Sequence, residues 1–371
     1  MHERFLALLR AHTFAGICAA FLIAEVALRA AGYGTEAPVA VPWRYDPSQD
    51  GLLLGGDGLH EGSLRELWRP APGSSVPGQS GERVNAAGYR GPLLAAAGGA
   101  QGLRIALLGD GTTFGEGVAF EETYGARLAQ LLKQGAAPAE VLDAGVIGFS
   151  VEQCFERYLL LVRPSAPDIV VLALCGIEEA RPSPMTDRAK IALAIRRANG
   201  WSFVSQQPVL DLRTLAWLRD LVLGFNPRPL DSDFLEELGK RRQARLANDS
   251  MNSGSPDWPG SRRVPVARFE SSLRRFVRRT RADRIGLILL CMPRAPEIDS
   301  ASSVLAQYDE TLRIVGRDEQ IDVVDGGAFF AQQIGAGAEP RSLFAAGKLT
   351  SEGHTLLSLE LARAVLARRG R

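Results

Sequence analysis

The stretch that decides the fold is RIALLGDGTTFGEGV, residues 104–118. Its first half is a short apolar run ending in Gly109-Asp110, the pattern of a strand buried on both faces. Its second half is rich in Gly and Thr and leads into ETYGARLAQLLKQ (122–134), which has helical spacing and stops at Gly135. The same alternation then repeats. VLDAG (141–145) reads as a strand, VEQCFERYLLLV (151–162) as a helix and DIVVLALCG (168–176) as a buried strand. FESSLRRFVRRT (269–280) is helical, RIGLILLCMP (284–293) strand-like, SSVLAQYDETLRIVG (302–316) helical and IDVVD (321–325) a strand. SEGHTLLSLELARAVLARR (351–369) supplies the last helix. Strand–helix alternation at this spacing predicts a five-stranded parallel sheet covered on both faces, a flavodoxin-like three-layer α/β sandwich. In such sheets functional residues follow the carboxyl ends of the strands.

Composition bounds what those residues can do. The chain has 371 residues, 46% hydrophobic and 23% charged, which is ordinary globular composition. Its 43 basic and 42 acidic residues leave a net charge of +1, so no global field marks a nucleic-acid binder. Four Cys, none in a C-x-x-C pair, exclude a disulfide framework or a zinc ribbon. Of four His, three precede residue 61, leaving His354 alone in the main body. No cofactor or metal is expected.

The N-terminus is apolar from Phe5 to Leu28, interrupted by Arg10, His12 and Glu25. About 20 residues suffice for a spanning helix. Arg4 and Arg10 before the apolar core favour an N-terminus inside and the remainder outside. A cleaved leader or a helix lying on the surface remains open, although no small-x-small site directly follows the apolar core. The expected organisation is therefore a membrane anchor over 1–34, an extended, loop-rich lead-in over 35–100, and an α/β domain over 101–371. That domain carries an insertion at about 181–262, and it is expected to lie in the periplasm or at the cell exterior.

The loops after the strands carry a resemblance. GDGTTFGEGV (109–118), LDAGVIGFS (142–150), LCGIEE (174–179) and AAGKLTSEGH (345–354) resemble, in order, the four blocks of the SGNH/GDSL hydrolases. The lead-in resembles that of membrane-anchored bacterial members, through Glu25 to Arg29 and VNAAGYRGP (84–92). The resemblance implies an esterase or acyltransferase acting on cell-envelope carbohydrate or lipid. It also implies the site: a nucleophile at Gly111, an oxyanion glycine at Gly148, an oxyanion amide at Glu178, and an acid and a base at Ala345 and Lys348. Only Gly148 keeps the family's residue. Acyl transfer needs a nucleophile, a base within reach and donors aimed at the developing charge. The residues present predict a pseudoenzyme, a binding or structural subunit of a membrane assembly, with membrane lipid and a membrane protein as partners.

Other residues near these positions have the chemistry to substitute. Thr112 and Thr113 read as turn-capping hydroxyls rather than a displaced nucleophile, and His354 as a packed residue of the last helix. Asp110, Glu178 and Glu179 converge as carboxylates at the strand ends, with ion pairing favoured over a metal. Cys175 and Cys291 end neighbouring strands and read as small buried hydrophobes rather than a disulfide. The amphipathic run 211–225 reads as a packing helix and 239–263 as a loop. Nine Arg between 262 and 284 form a basic face, read as solvated or as a contact for anionic lipid or a partner. Lys348 is expected to close the vacated site by pairing with Glu178, or else with Asp110 or Glu179.

Overall fold

In the computed structural model, the described residues are 13, 16, 19–27, 30, 43–46, 51–54, 58–63, 65–94, 102–135, 137–183, 186–192, 262–300 and 303–369. Most of the 181–262 insertion, including the run 211–225, and much of the 5–28 span lie outside them.

Four short strands precede the domain: β1 (Trp43–Asp46), β2 (Gly51–Leu54), β3 (His60–Ser63) and β4 (Leu67–Pro70), paired β1 with β2 and β3 with β4, both antiparallel. The central sheet is built from β5 (Leu103–Leu108), β6 (Ala139–Asp143), β7 (Ile169–Leu174), β8 (Gly286–Cys291) and β9 (Asp322–Asp325). Its order is β6-β5-β7-β8-β9, and every pair is parallel. Each strand lies within two residues of its sequence-predicted position.

Alternation along the strands sorts side chains onto two faces. Ala106, Leu108, Leu142, Val170, Leu172, Leu287 and Leu289 belong to one buried cluster with Phe155, Phe276 and Leu312. That face is covered by α3 (Val151–Arg157), α5 (Val266–Ala282) and α7 (Ser303–Asp318). Ile105, Leu107, Val171, Ala173, Ile288 and Leu290 face the other way, against Leu128, Leu357 and Leu361. There the cover is α2 (Tyr124–Gln134), α8 (Gly326–Gly335) and α10 (Ser351–Arg369). Two one-turn helices, α1 (Gly111–Phe114) and α4 (Ile177–Ala180), follow β5 and β7. Two more, α6 (Pro296–Ser300) and α9 (Pro340–Leu343), follow β8 and α8. A two-residue hairpin, β10 (Phe344–Ala345) with β11 (Lys348–Leu349), leads into α10.

Two expectations change, and one observation bears on the N-terminal segment. The lead-in is bound tightly into the domain: Trp68 is buried in the first cluster, and its indole N–H donates to the Ile147 carbonyl at 3.0 Å. Its backbone also forms a bridge between Arg90 and Asp143. The basic face is largely neutralised. Arg274 pairs with Glu270, Asp318 and Glu319, Arg275 with Glu152, Arg279 with Asp283 and Arg281 with Glu319. Finally, no helix among the described residues is long and apolar enough to cross a membrane, although residues 19–27 are helical.

Because Trp68 fills core space and satisfies a loop carbonyl, Trp68→Ala is expected to cost about 3–5 kcal/mol of domain stability. The denaturant midpoint measures it. A shift typical of a surface residue would mean that the lead-in is a separate unit.

Candidate functional site

Gly111 stands at the carboxyl end of β5, where the sheet order reverses between β6 and β7. Asp110 caps α1 by accepting the Thr112 N–H at 2.9 Å, and its other oxygen accepts the Cys175 thiol at 2.9 Å. Burial raises the Asp110 pKa, and nearby Glu178 adds to the rise. Opposite Gly111 is the turn after β6: a Cβ at Gly111 would lie 3.7 Å from Ile147 Cα. The next residue, Gly148, adopts φ +78°, a conformation that favours glycine. The sheet therefore brings the first two family positions together.

The fourth block sits on the β10–β11 hairpin, whose central residues Ala346 (φ 50°) and Gly347 (φ 76°) make the primed turn that suits strand twist. Ala345 and Lys348 are register partners across it. Lys348 reaches over the site, but its partner is Glu116: Nζ lies 2.5 Å from Oε1. The other carboxylate oxygen, Oε2, lies 2.8 Å from where a Cβ on Gly111 would be. The ion pair thus covers the position at which the family carries its nucleophile.

The expected pairing of Lys348 with Glu178 is corrected by this contact. Glu178 is already held by Arg181, at 2.8 and 3.0 Å, and by Arg263 at 2.6 Å. Arg263 is fully buried and also pairs with Asp187, donates to Gln153 and stacks over Trp68. Glu179 is buried too, and one of its carboxyl oxygens accepts the Val151 N–H at 2.8 Å. Asp110 is engaged as described. No carboxylate of the third block is left for Lys348, and the one that meets it comes from the Gly-rich loop. Glu116 lies inside the first block, GDGTTFGEGV, at none of the positions that the resemblance assigns a role. The available signal was a lone charge between two glycines.

The remaining candidates are structural. Thr113 is buried and accepts the Tyr124 hydroxyl at 3.0 Å. His354 is 1% exposed, stacks on the Tyr124 ring, and uses Nδ1 to accept the Tyr124 N–H at 3.2 Å. Burial pulls its pKa down to about 4, so it is a neutral, occupied imidazole at pH 7. Cys175 and Cys291 are both free thiols; Cys291 donates to Asp309 at 3.2 Å. Among the described residues no group of three or more His, Cys, Asp or Glu is arranged to hold a metal. A cavity of about 470 Å³ lies beside the hairpin, lined by Pro296, Glu297, Glu339, Pro340, Arg341 and Phe344 rather than by Gly111 or Lys348.

Two buried carboxyls have raised pKa values, chiefly through desolvation: Asp143 is pushed up to about 7 and Glu179 to about 8. Both hold protons in the fold that the unfolded chain releases near pH 4. Their stabilising contribution is complete below that pH and is lost as pH rises through 7 and 8. For His354 the sign is opposite: its contribution is present above about pH 6.5 and is lost as pH falls toward 4. From about pH 6.5 to about pH 9 the carboxyls therefore dominate, and the melting temperature is expected to fall. Glu179→Gln is expected to flatten that fall. A melting temperature that rises with pH over this range contradicts the assignment.

No protein-family model matches the chain, and no curated protein does. Among solved structures the chain is similar to Axe2, an acetylxylan esterase from Geobacillus stearothermophilus, at 17% identity and a TM-score of 0.43, over 71% of this chain and 93% of that one. LAE5, an alpha/beta hydrolase enzyme from the metagenome of Lake Arreo, Spain, is 18% identical with a TM-score of 0.43, over 73% and 96%. The acetyl xylan esterase AlAXEase is 14% identical with a TM-score of 0.42, over 71% and 100%. In the order of its four blocks and in its five-stranded parallel sheet, the chain resembles the SGNH/GDSL hydrolases.

Proposed function

We propose that this hydrolase-fold protein does not hydrolyse esters and serves as a membrane-tethered binding or structural subunit outside the cytoplasm. The observation that carries the reading is the Glu116–Lys348 ion pair over Gly111. A hydrolase of this type needs a hydroxyl, an imidazole and an acid in line. Here a hydrogen atom, an ammonium and a methyl group stand at those positions, and a carboxylate fills the space between. Turning to the third block, loss of even one oxyanion donor costs roughly 10²–10³ in turnover. An anion there, already committed to two arginines, is worse than a loss.

Membrane tethering draws on the helical residues 19–27. Leu22, Ile23 and Val26 are 68%, 69% and 61% exposed, while the charged Glu25 is only 7% exposed. Apolar outside and charge inside is the pattern suited to lipid. The chain is expected to resist extraction by carbonate or high salt and to come out with detergent. A membrane protein copurifying in stoichiometric amount would supply the partner.

A second reading, an esterase or acyltransferase on envelope carbohydrate or lipid, is favoured by one feature. The Glu116 carboxylate stands where the nucleophile would be, and a carboxylate can draw a proton from water.

An ester assay separates the two. Wild type is expected to give no turnover of p-nitrophenyl acetate above buffer. Gly111→Ser alone is expected to stay inactive, since its side chain meets Glu116 and finds no imidazole. The triple variant Gly111→Ser, Ala345→Asp, Lys348→His tests whether the fold still accepts the chemistry. Wild-type turnover that disappears in Glu116→Gln, or on mutating Thr112, would overturn the non-hydrolytic reading.

A further inference from the structure

We infer that Glu116 is a built-in lid on a carboxylate-binding site, and that a ligand carrying a carboxylate takes its place on Lys348. The inference rests on the non-hydrolytic reading of the same site and names what the site holds.

The pair is at the surface, with side chains 48% and 35% exposed. Ion pairs in that setting are worth about 0–1 kcal/mol, so this one exchanges readily with an outside anion. The backbone of the loop that carries Glu116 is clamped by Arg90 at Phe114, Gly115 and Val118, while the Glu116 side chain is partly exposed. At Gly115 (φ +78°) a Cβ would lie 2.3 Å from Thr123 Cγ2 and 2.8 Å from Arg90 Nη1, so the backbone is wedged there. At Gly117 (φ +96°) a Cβ would meet nothing within 4 Å. Glu116 therefore leaves Gly111 by rotation of its own side chain, with the clamped backbone and the core unchanged.

What it leaves behind suits the group it presents. Lys348 offers an ammonium with three donors, held on a tight hairpin. After Glu116, the nearest atoms to a Cβ on Gly111 belong to Ile147, at 3.7 Å. An ammonium beside a space that a carboxylate already fills selects a carboxylate over a cation or a neutral ligand.

A tethered carboxylate competes with a free one, and apparent affinity falls with the fraction of open site. The test uses the full chain in detergent, with dissociation constants read by saturation-transfer NMR. The two probes are acetate, for a small free ligand, and acetyl-Gly-Glu-Gly-amide, for an acidic side chain of a protein partner. Glu116→Ala is expected to bind at least one of them about two- to sixfold tighter than wild type. Lys348→Gln in that background is expected to abolish the gain, and acetamide is expected not to compete. Whichever probe gains identifies the source. Glu116→Gln, which keeps the side-chain volume but loses the carboxylate charge that pairs with Lys348, is expected to gain less and serves if the alanine variant does not fold. Equal affinities in wild type and both Glu116 variants, or a gain that survives Lys348→Gln, overturns the lid. Ester turnover tests the non-hydrolytic reading and carboxylate affinity tests the lid, so either can fail alone.

Discussion

The guanidinium of Arg90 is completely buried, and nearly everything about the site follows from where its donors go. Nη1 donates to the carbonyls of Phe114 and Gly115 at 2.8 and 2.7 Å, and Nη2 to that of Val118 at 2.6 Å. Glu82 takes the remaining direction as a two-point ion pair. A planar fork with five N–H donors is suited to this task, and a lysine is not. The two ends of the loop that presents Glu116 are thereby clamped by a residue from the lead-in. Trp68 does the same for the facing turn through the Ile147 carbonyl. The segment before the domain is thus a wall of the site, and the two loops that flank Gly111 keep their spacing because of it.

A second buried arginine governs the other side of the site. Arg263 binds Asp187 and Glu178 with its side chain at zero exposure, and Asp187 in turn accepts the Ser150 hydroxyl at 2.7 Å. An uncompensated buried charge costs several kcal/mol, so Glu178 is bound to an arginine before any lysine can compete for it. The same cluster joins the stems of the insertion, since Pro182 and Arg262 form an antiparallel bridge. Glu178 therefore serves the junction from which the insertion leaves, and the electrostatics of the Gly111 side are left to Glu116 and Lys348.

The fold was legible in sequence because the strands are buried on both faces, and an unbroken run such as IVVLAL (169–174) admits little else. Helix α10 covers the predicted residues 351–369. The stretch 151–162 reads as one helix and is an α-helix to Arg157 followed by a π turn over Tyr158–Val162, a change in hydrogen-bond register invisible to apolar spacing. At the site, what followed from the ends of strands was readable: Gly111, Gly148, and the Ala345–Lys348 pair. Which charges pair was not. Lys348 and Glu116 are 232 residues apart, and Arg263 and Glu178 are 85 apart. Such choices depend on loop paths and on which carboxylate loses its water, and neither leaves a periodic trace.

The replacements at the family positions depend on one another. Gly111 has no side chain, and that absence is what admits the Glu116 carboxylate. The carboxylate in turn gives Lys348 a partner, and Ala345, across the hairpin, offers no acid to draw the ammonium away. On the far side Glu178 would be intolerable without Arg263. Removing one partner of a buried polar pair strands the other. Among the described residues, no unpartnered buried side-chain atom belongs to Glu178 or Glu116, and the exposed Lys348 is paired with Glu116. Glu116, Lys348 and Glu178 each meet an opposite charge, so the charges around Gly111 are balanced locally. A hydroxyl introduced at residue 111 would have to displace a carboxylate, and an imidazole at 348 would leave that carboxylate without its cation.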